Sequence, residues 1–204
     1  MDIDILITIL LDDKASSILR KNEESLFSFI PELRLSKGFD QHNIWHSYDV
    51  LEHIYHVVDN VDSTIPLRLA ALFHDVGKPY TFTIDENDCG HFYNHWEVSR
   101  DIFLKFVDNK NINSRIKNLV SNLILYHDMN LSKINKDRLS MICNTFNDQE
   151  IEMLFELKKA DLLAQNKSFH YLLDDYRKQE EYILGGHYFY EEKCRNTSIQ
   201  KRKR

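Results

Sequence analysis

The strongest local signal for chemistry is His74-Asp75, at the end of the apolar run LAALFHDVGKP. In mid-helix, neighbouring side chains point about 100° apart and do not readily share a ligand. At a fraying helix end, with Gly77 two residues on, both can turn toward one ion. An imidazole nitrogen beside a carboxylate oxygen suits Mn, Fe, Co, Ni or Zn, ions able to activate water. Alone, such a dipeptide is more often a surface turn. Other ligand types on apolar stripes change that balance. His46 is expected to lead a helix and to share the face of Val50, His53 and Val57. His127 continues the stripe Ile116, Leu119, Val120, Leu123, and Asp161 falls seven residues after Leu154 in KKADLLAQN. A carboxylate on a buried face is costly unless it is paired or metal-bound. One inward histidine is usually a hydrogen-bonded core residue. Two of them, a His-Asp pair and an inward Asp on separate helices form a constellation.

Helices must position these groups. Glycine and proline are scarce (5 and 3 in 204 residues), which argues against the many tight turns of all-β folds. Apolar residues recur at helical spacing along 50–61, 67–73, 102–107, 116–127 and 151–161. A weak first segment spans 12–29, the second helix is expected to begin near His46, and the third to stop at Gly77 and Pro79. Shorter helical patterns cover roughly 136–145 and 168–185. These patterns predict an all-α bundle of about seven or eight helices, with a small irregular or hairpin insert near residues 79–94. There, 80–84 is expected to pair with 91–93. The expected organisation is a single domain over 1–186, followed by a tail over 187–204 that ends in Lys-Arg-Lys-Arg.

Composition narrows the function. With 43% hydrophobic and 28% charged residues the chain can build a core, so disorder is not expected. No run approaches the ~18 apolar residues of a membrane span, so no membrane association is expected. Cys89, Cys143 and Cys194 lie far apart with no CxxC pair, a reduced pattern that points to the cytoplasm. The net charge of −6 opposes a broad nucleic-acid surface.

The order His46 … His74-Asp75 … Asp161 resembles that of the HD superfamily of metal-dependent phosphohydrolases. The stretch GFDQHNIWHSYDVLEHIYHVV … LRLAALFHDVGKPYTFT … GHFYNHWEVS … YHDM … KKADLLAQN is similar to the HD domain of bacterial CCA-adding tRNA nucleotidyltransferases. That resemblance covers roughly residues 25–170. It implies an all-α HD fold and a divalent ion held by His46, His74, Asp75 and Asp161. Two-metal members of the superfamily add two histidines, and His95 and His127 stand at matching places. One or two ions (Mn, Fe, Co, Ni, Mg or Zn) are therefore expected, with Asp75 placed to bridge them. The nucleotidyltransferase half has no counterpart. Asp2-Ile3-Asp4 is the one Asp-x-Asp near the N-terminus, and no Gly-Ser turn precedes it.

The expected activity is hydrolysis of a nucleotide or other small phosphate ester by metal-activated hydroxide, with His74, Asp75 and Lys78 as catalytic residues. Lys78 could hold a substrate phosphate as a point charge. His42 and His91 are read as substrate-facing, and Glu52 and His53 as hydrogen-bonding supports for the ligands or plain packing. Oligomeric state is not readable. Two rivals stay open: a non-catalytic metal- or nucleotide-binding module that partners a nucleotidyltransferase, and a di-iron oxygenase built on the same ligands.

Overall fold

The computed structural model describes residues 1–132 and 134–185. The expected tail over 187–204 and the boundary at 186 lie outside the described residues. Four short helices open the chain: α1 (Ile3–Leu10), α2 (Ala15–Lys21), α3 (Glu23–Phe29) and α4 (Glu32–Ser36). Then follow α5 (Val50–Asn60), α6 (Ile65–Phe73), α7 (Lys78–Thr81), the strands β1 (Thr83–Ile84) and β2 (Gly90–His91), α8 (His95–Val107), α9 (Ser114–Tyr126), α10 (Lys136–Thr145) and α11 (Asp148–Ala164). A 3₁₀ helix (Lys167–Leu172) leads into helical residues 173–185. The all-α expectation holds, but there are more helices than seven or eight. The first segment is broken by turns at 11–14 and at Asn22, and it starts at Ile3 rather than Asp12.

At the core lies α6. Every residue from Leu67 to Phe73 is buried, as expected of a helix that is apolar nearly all round. It packs against α1, α5, α8, α9 and α11, so the ends of several helices meet at its C-terminus. The flanking helices have capped starts. Asp49 Oδ1 accepts from Glu52 N at 2.8 Å to open α5, and Asn113 accepts from Arg115 N at 2.8 Å to open α9. Asn147 and Glu150 form a reciprocal capping box at α11.

Two boundaries differ from expectation. Helix α5 begins at Val50, because Asp49 is its cap, so His46 stands in the preceding loop and not on the helical face of His53. Helix α6 ends at Phe73, and Pro79 opens the one-turn α7 instead of terminating a helix. The hairpin insert exists but is smaller than expected, pairing Thr83 with His91 and Ile84 with Gly90. Asp2-Ile3-Asp4 is a helix start, with Asp2 Oδ1 accepting from Ile5 N at 2.9 Å. No described helix is long and apolar enough to cross a membrane.

Candidate metal centre

His74 is the C-cap of α6 and Asp75 follows it, both essentially solvent-free. The last carbonyls of a helix lack intrahelical partners. One of them, Ala71 O, takes the Nδ1–H of His74 at 2.8 Å. The same i−3 device recurs at the end of α9, where His127 Nδ1 donates to Ile124 O at 2.7 Å. At the start of α8, His95 Nδ1 donates to Phe92 O at 2.8 Å. A carbonyl can only accept, so in each of these rings a neutral imidazole has a bare lone pair at Nε2. Orientation through Nδ1 is the usual support of a metal-binding histidine.

Those lone pairs converge on Asp75. His95 Nε2 lies 3.1 Å from Asp75 Oδ1 and 3.3 Å from His127 Nε2, which is itself 3.7 Å from Oδ1. On the other oxygen, Oδ2 lies 3.3 Å from His74 Nε2 and 3.2 Å from His53 Nε2. His53 Nε2 in turn lies 3.3 Å from His74 Nε2 and 3.0 Å from Asp161 Oδ1. The donors form overlapping groups, His53, His74 and Asp75 around one oxygen of Asp75 and Asp75, His95 and His127 around the other, while His74, His127 and Asp161 link the two sides and Asp161 reaches His53. Acceptors facing one another at 3.3 Å without a proton between them repel. A cation resolves the conflict. The donor set of imidazoles and carboxylates fits a divalent transition ion on either side.

Burial and charge shape the protonation of the metal-free cluster. Burial disfavours a charged His53, but hydrogen bonds to Asp161 and Asp75 outweigh it and lift this ring to about 9. Asp161 is pulled well below the usual carboxylate range; burial opposes this, and the His53 hydrogen bond and charge prevail. Asp75 is likewise held low against its burial, chiefly by the charges of His74 and Lys78. Burial pushes His127 down.

Supporting residues tie the cluster to the fold. Gly77 lets α8 approach: a Cβ there would lie 2.5 Å from His95 O, and Gly77 N donates to Ser99 Oγ at 2.9 Å. Gln165 Nε2 donates to Asp161 Oδ1 at 3.2 Å. Lys158, one helical turn before Asp161, donates to the carbonyls of His127 and Met129, joining the end of α9 to α11. Burial lowers its ammonium to about 8.

A cavity of about 330 Å³ opens onto the cluster, lined by His46, Asp75, Lys78, His95, His127, Asp128, Asp161 and Gln165 and by the hairpin side with His91, Phe92, Tyr93 and Trp96. The residues predicted from sequence fare differently. His74, Asp75, His95, His127 and Asp161 meet as anticipated. His53, read as support or packing, joins them instead of His46, whose place before α5 leaves it one ring further out. The His46 ring meets His53 edge-on at 5.2 Å, and its buried Nδ1 has no hydrogen-bond partner among the described residues. Burial, then the charge of Lys78, holds His46 neutral, down at about 2. The signal for His53 was its inward position between Val50 and Val57. Lys78 is buried, with Nζ 2.7 Å from Asp75 Oδ2 and donating to Gln41 Oε1 at 2.9 Å. His91 lines the cavity, whereas His42 is exposed, outside the cavity lining, with its ring 5.8 Å from Phe82. Glu52 points elsewhere, to Arg20 at 2.8 Å.

A helical bundle that gathers histidines and aspartates around an adjacent His-Asp pair defines the HD class of domains. The HD domain family matches residues 44–165, more than half of the chain, and the chain belongs to that family, whose members bind divalent metals and group with metal-dependent phosphohydrolases. Within it, the chain is similar to the A-adding tRNA nucleotidyltransferase of Deinococcus radiodurans, with 36% identity over 98 residues. The match takes in 44% of this chain and 22% of that relative, so the likeness concerns a minor part of the larger protein.

Proposed function

We propose that the chain is a cytoplasmic, divalent-metal-dependent phosphohydrolase acting on a nucleotide or another small phosphate ester, with residues 1–186 as its single domain. The observation that carries this reading is the face-to-face approach of His95 and His127 Nε2 at 3.3 Å, beside Asp75 Oδ1, with both Nδ1 atoms committed to carbonyls. His53, His74, Asp75 and Asp161 would hold one ion, and Asp75, His95 and His127 a second. Bound there, divalent ions lower the pKa of water and neutralise the charge of a phosphoryl group. Asp75 keeps the two halves at a set spacing, Gln165 holds Asp161, and the carbonyls of residues 71, 92 and 124 hold three rings to one tautomer. Lys78, whose Nζ shares Asp75 with the cluster and lies in the cavity wall, is assigned to the substrate phosphate. His91 faces substrate from the hairpin.

The tRNA-related activity of the larger relative does not transfer to these residues. Their acidic balance supports weak, salt-sensitive RNA binding at most. The test is a panel of phosphomonoesters and phosphodiesters, 2′-nucleotides and 2′,3′-cyclic nucleotides among them, assayed with Mn, Co, Ni, Mg and Zn beside a tRNA gel shift at physiological salt. Metal-dependent hydrolysis with weak tRNA binding supports the reading. Tight tRNA binding without hydrolysis under any metal returns the chain to a binding module, and a redox-active iron pair in protein purified without added metal returns it to an oxygenase.

A further inference from the structure

The hairpin between α7 and α8 carries a feature that the phosphate chemistry leaves unused. His91 and Tyr93 stack nearly parallel, with centroids 5.3 Å apart and planes 8° from each other, and both line the cavity. Tyr93 is 67% exposed, so a large part of its ring is open to solvent. The hairpin fastens the His91 side of the pair. Asp85 Oδ2 pairs with His91 Nε2 at 3.0 Å, while Asp85 Oδ1 accepts from Asn87 N and Cys89 N at 2.9 and 3.0 Å. Gly90 N donates to His42 O at 2.7 Å, and a Cβ on Gly90 would lie 2.2 Å from Gln41 O, so the hairpin is fastened against the loop before α5. Beyond the metal donors, the cavity wall offers one ammonium among the described residues, Lys78, which Asp75 already shares. Anionic affinity is therefore concentrated at the cluster, and the hairpin side offers flat π surface.

We infer that the His91–Tyr93 stack is a preorganised shelf for a nucleobase, so that the substrate is a nucleoside phosphate with its base on Tyr93 and its phosphate toward Asp75. This rests on the phosphohydrolase reading and deepens it by naming the part of the substrate that is recognised apart from phosphate. Stacking one base on an aromatic ring changes affinity by about tenfold or more and requires no particular base. The volume, about 330 Å³, is at the small end of ligand cavities and matches one such molecule rather than an oligonucleotide.

The experiment measures equilibrium binding of a nucleoside monophosphate and of the matching ribose phosphate to the Mn-loaded full chain, with hydrolysis of both recorded separately. Wild type should bind the nucleotide about tenfold or more tighter, Tyr93→Phe should keep that preference, and Tyr93→Leu should lose it. Equal binding of the two ligands by wild type, or a preference that survives Tyr93→Leu, overturns the shelf. A preference that behaves as expected without turnover of either ligand upholds the shelf and fails the phosphohydrolase reading. The two results are thereby distinguishable.

Discussion

Replacing Asp75 by asparagine keeps the shape of the side chain and removes the charge on which the cluster depends. Asp75 Oδ2 lies 2.7 Å from Lys78 Nζ, and Lys78 is only 5% exposed. With a neutral amide in its place, the buried ammonium loses its counter-charge, which the neutral oxygen of Gln41 at 2.9 Å does not replace. Stranding one member of a buried ion pair costs about 3–5 kcal/mol. In a chain of this length each kcal/mol corresponds to about 2–4 °C, so the metal-free Asp75→Asn protein should melt about 6–20 °C below metal-free wild type. Its metal content should fall from two ions to fewer than one, because both donor groups share this carboxylate. The double variant Asp75→Asn/Lys78→Met separates the effects. It removes the stranded charge and should recover stability to within about 1 kcal/mol of wild type, without recovering metal. Urea unfolding in chelator, followed by circular dichroism, reads the first quantity, and elemental analysis reads the second. An Asp75→Asn protein as stable as wild type without metal, or a double variant no more stable than the single one, would refute the argument from the Lys78–Asp75 pair.

Elemental analysis should find two ions in wild type and in His46→Ala but about one in His53→Ala and in His127→Ala; loss of metal in His46→Ala would restore the ligand role expected for that residue. His53 titrates at about 9 in the metal-free fold, above its ordinary value, so its contribution is present below about pH 6.5 and lost as pH rises through about 9. That difference amounts to about 3 kcal/mol. Lys158, lowered to about 8 by burial, acts oppositely from there up to its ordinary value, so the chelated protein should be compared with His53→Gln at each pH. A pH-independent gap between the two contradicts the pairing of His53 with Asp161 and Asp75. Gly90→Ala should cost about 1–3 kcal/mol by pushing the hairpin off Gln41 O, as an overpacked contact does, while leaving two ions bound.

Much of this protein is legible in one dimension. The helical class follows from periodic apolar residues and scarce turn-formers. The ligand types follow from imidazoles and carboxylates that fall on apolar stripes, where they are costly without a partner. His74, Asp75, His127 and Asp161 stood out for that reason, and the likeness to HD domains added His95. What periodicity cannot supply is the residue at which a helix begins. Asp49 caps α5 through Glu52 N, a choice between adjacent polar residues that depends on local geometry. The shift from 46 to 50 takes His46 off the helical face and leaves His53 among the donors. The second decision belongs to tertiary contact. Which lone pairs face one another depends on the register of α8 against the turn after α6, set by the absence of a side chain at Gly77. Whether Lys78 lies free or buried against Asp75 depends on Gln41, 37 residues earlier in the chain. Sequence determined which atoms are available as donors; packing between segments distant along the chain decided which of them share an ion, because a distance of 3 Å between such segments is a property of the assembled core and of no single helix.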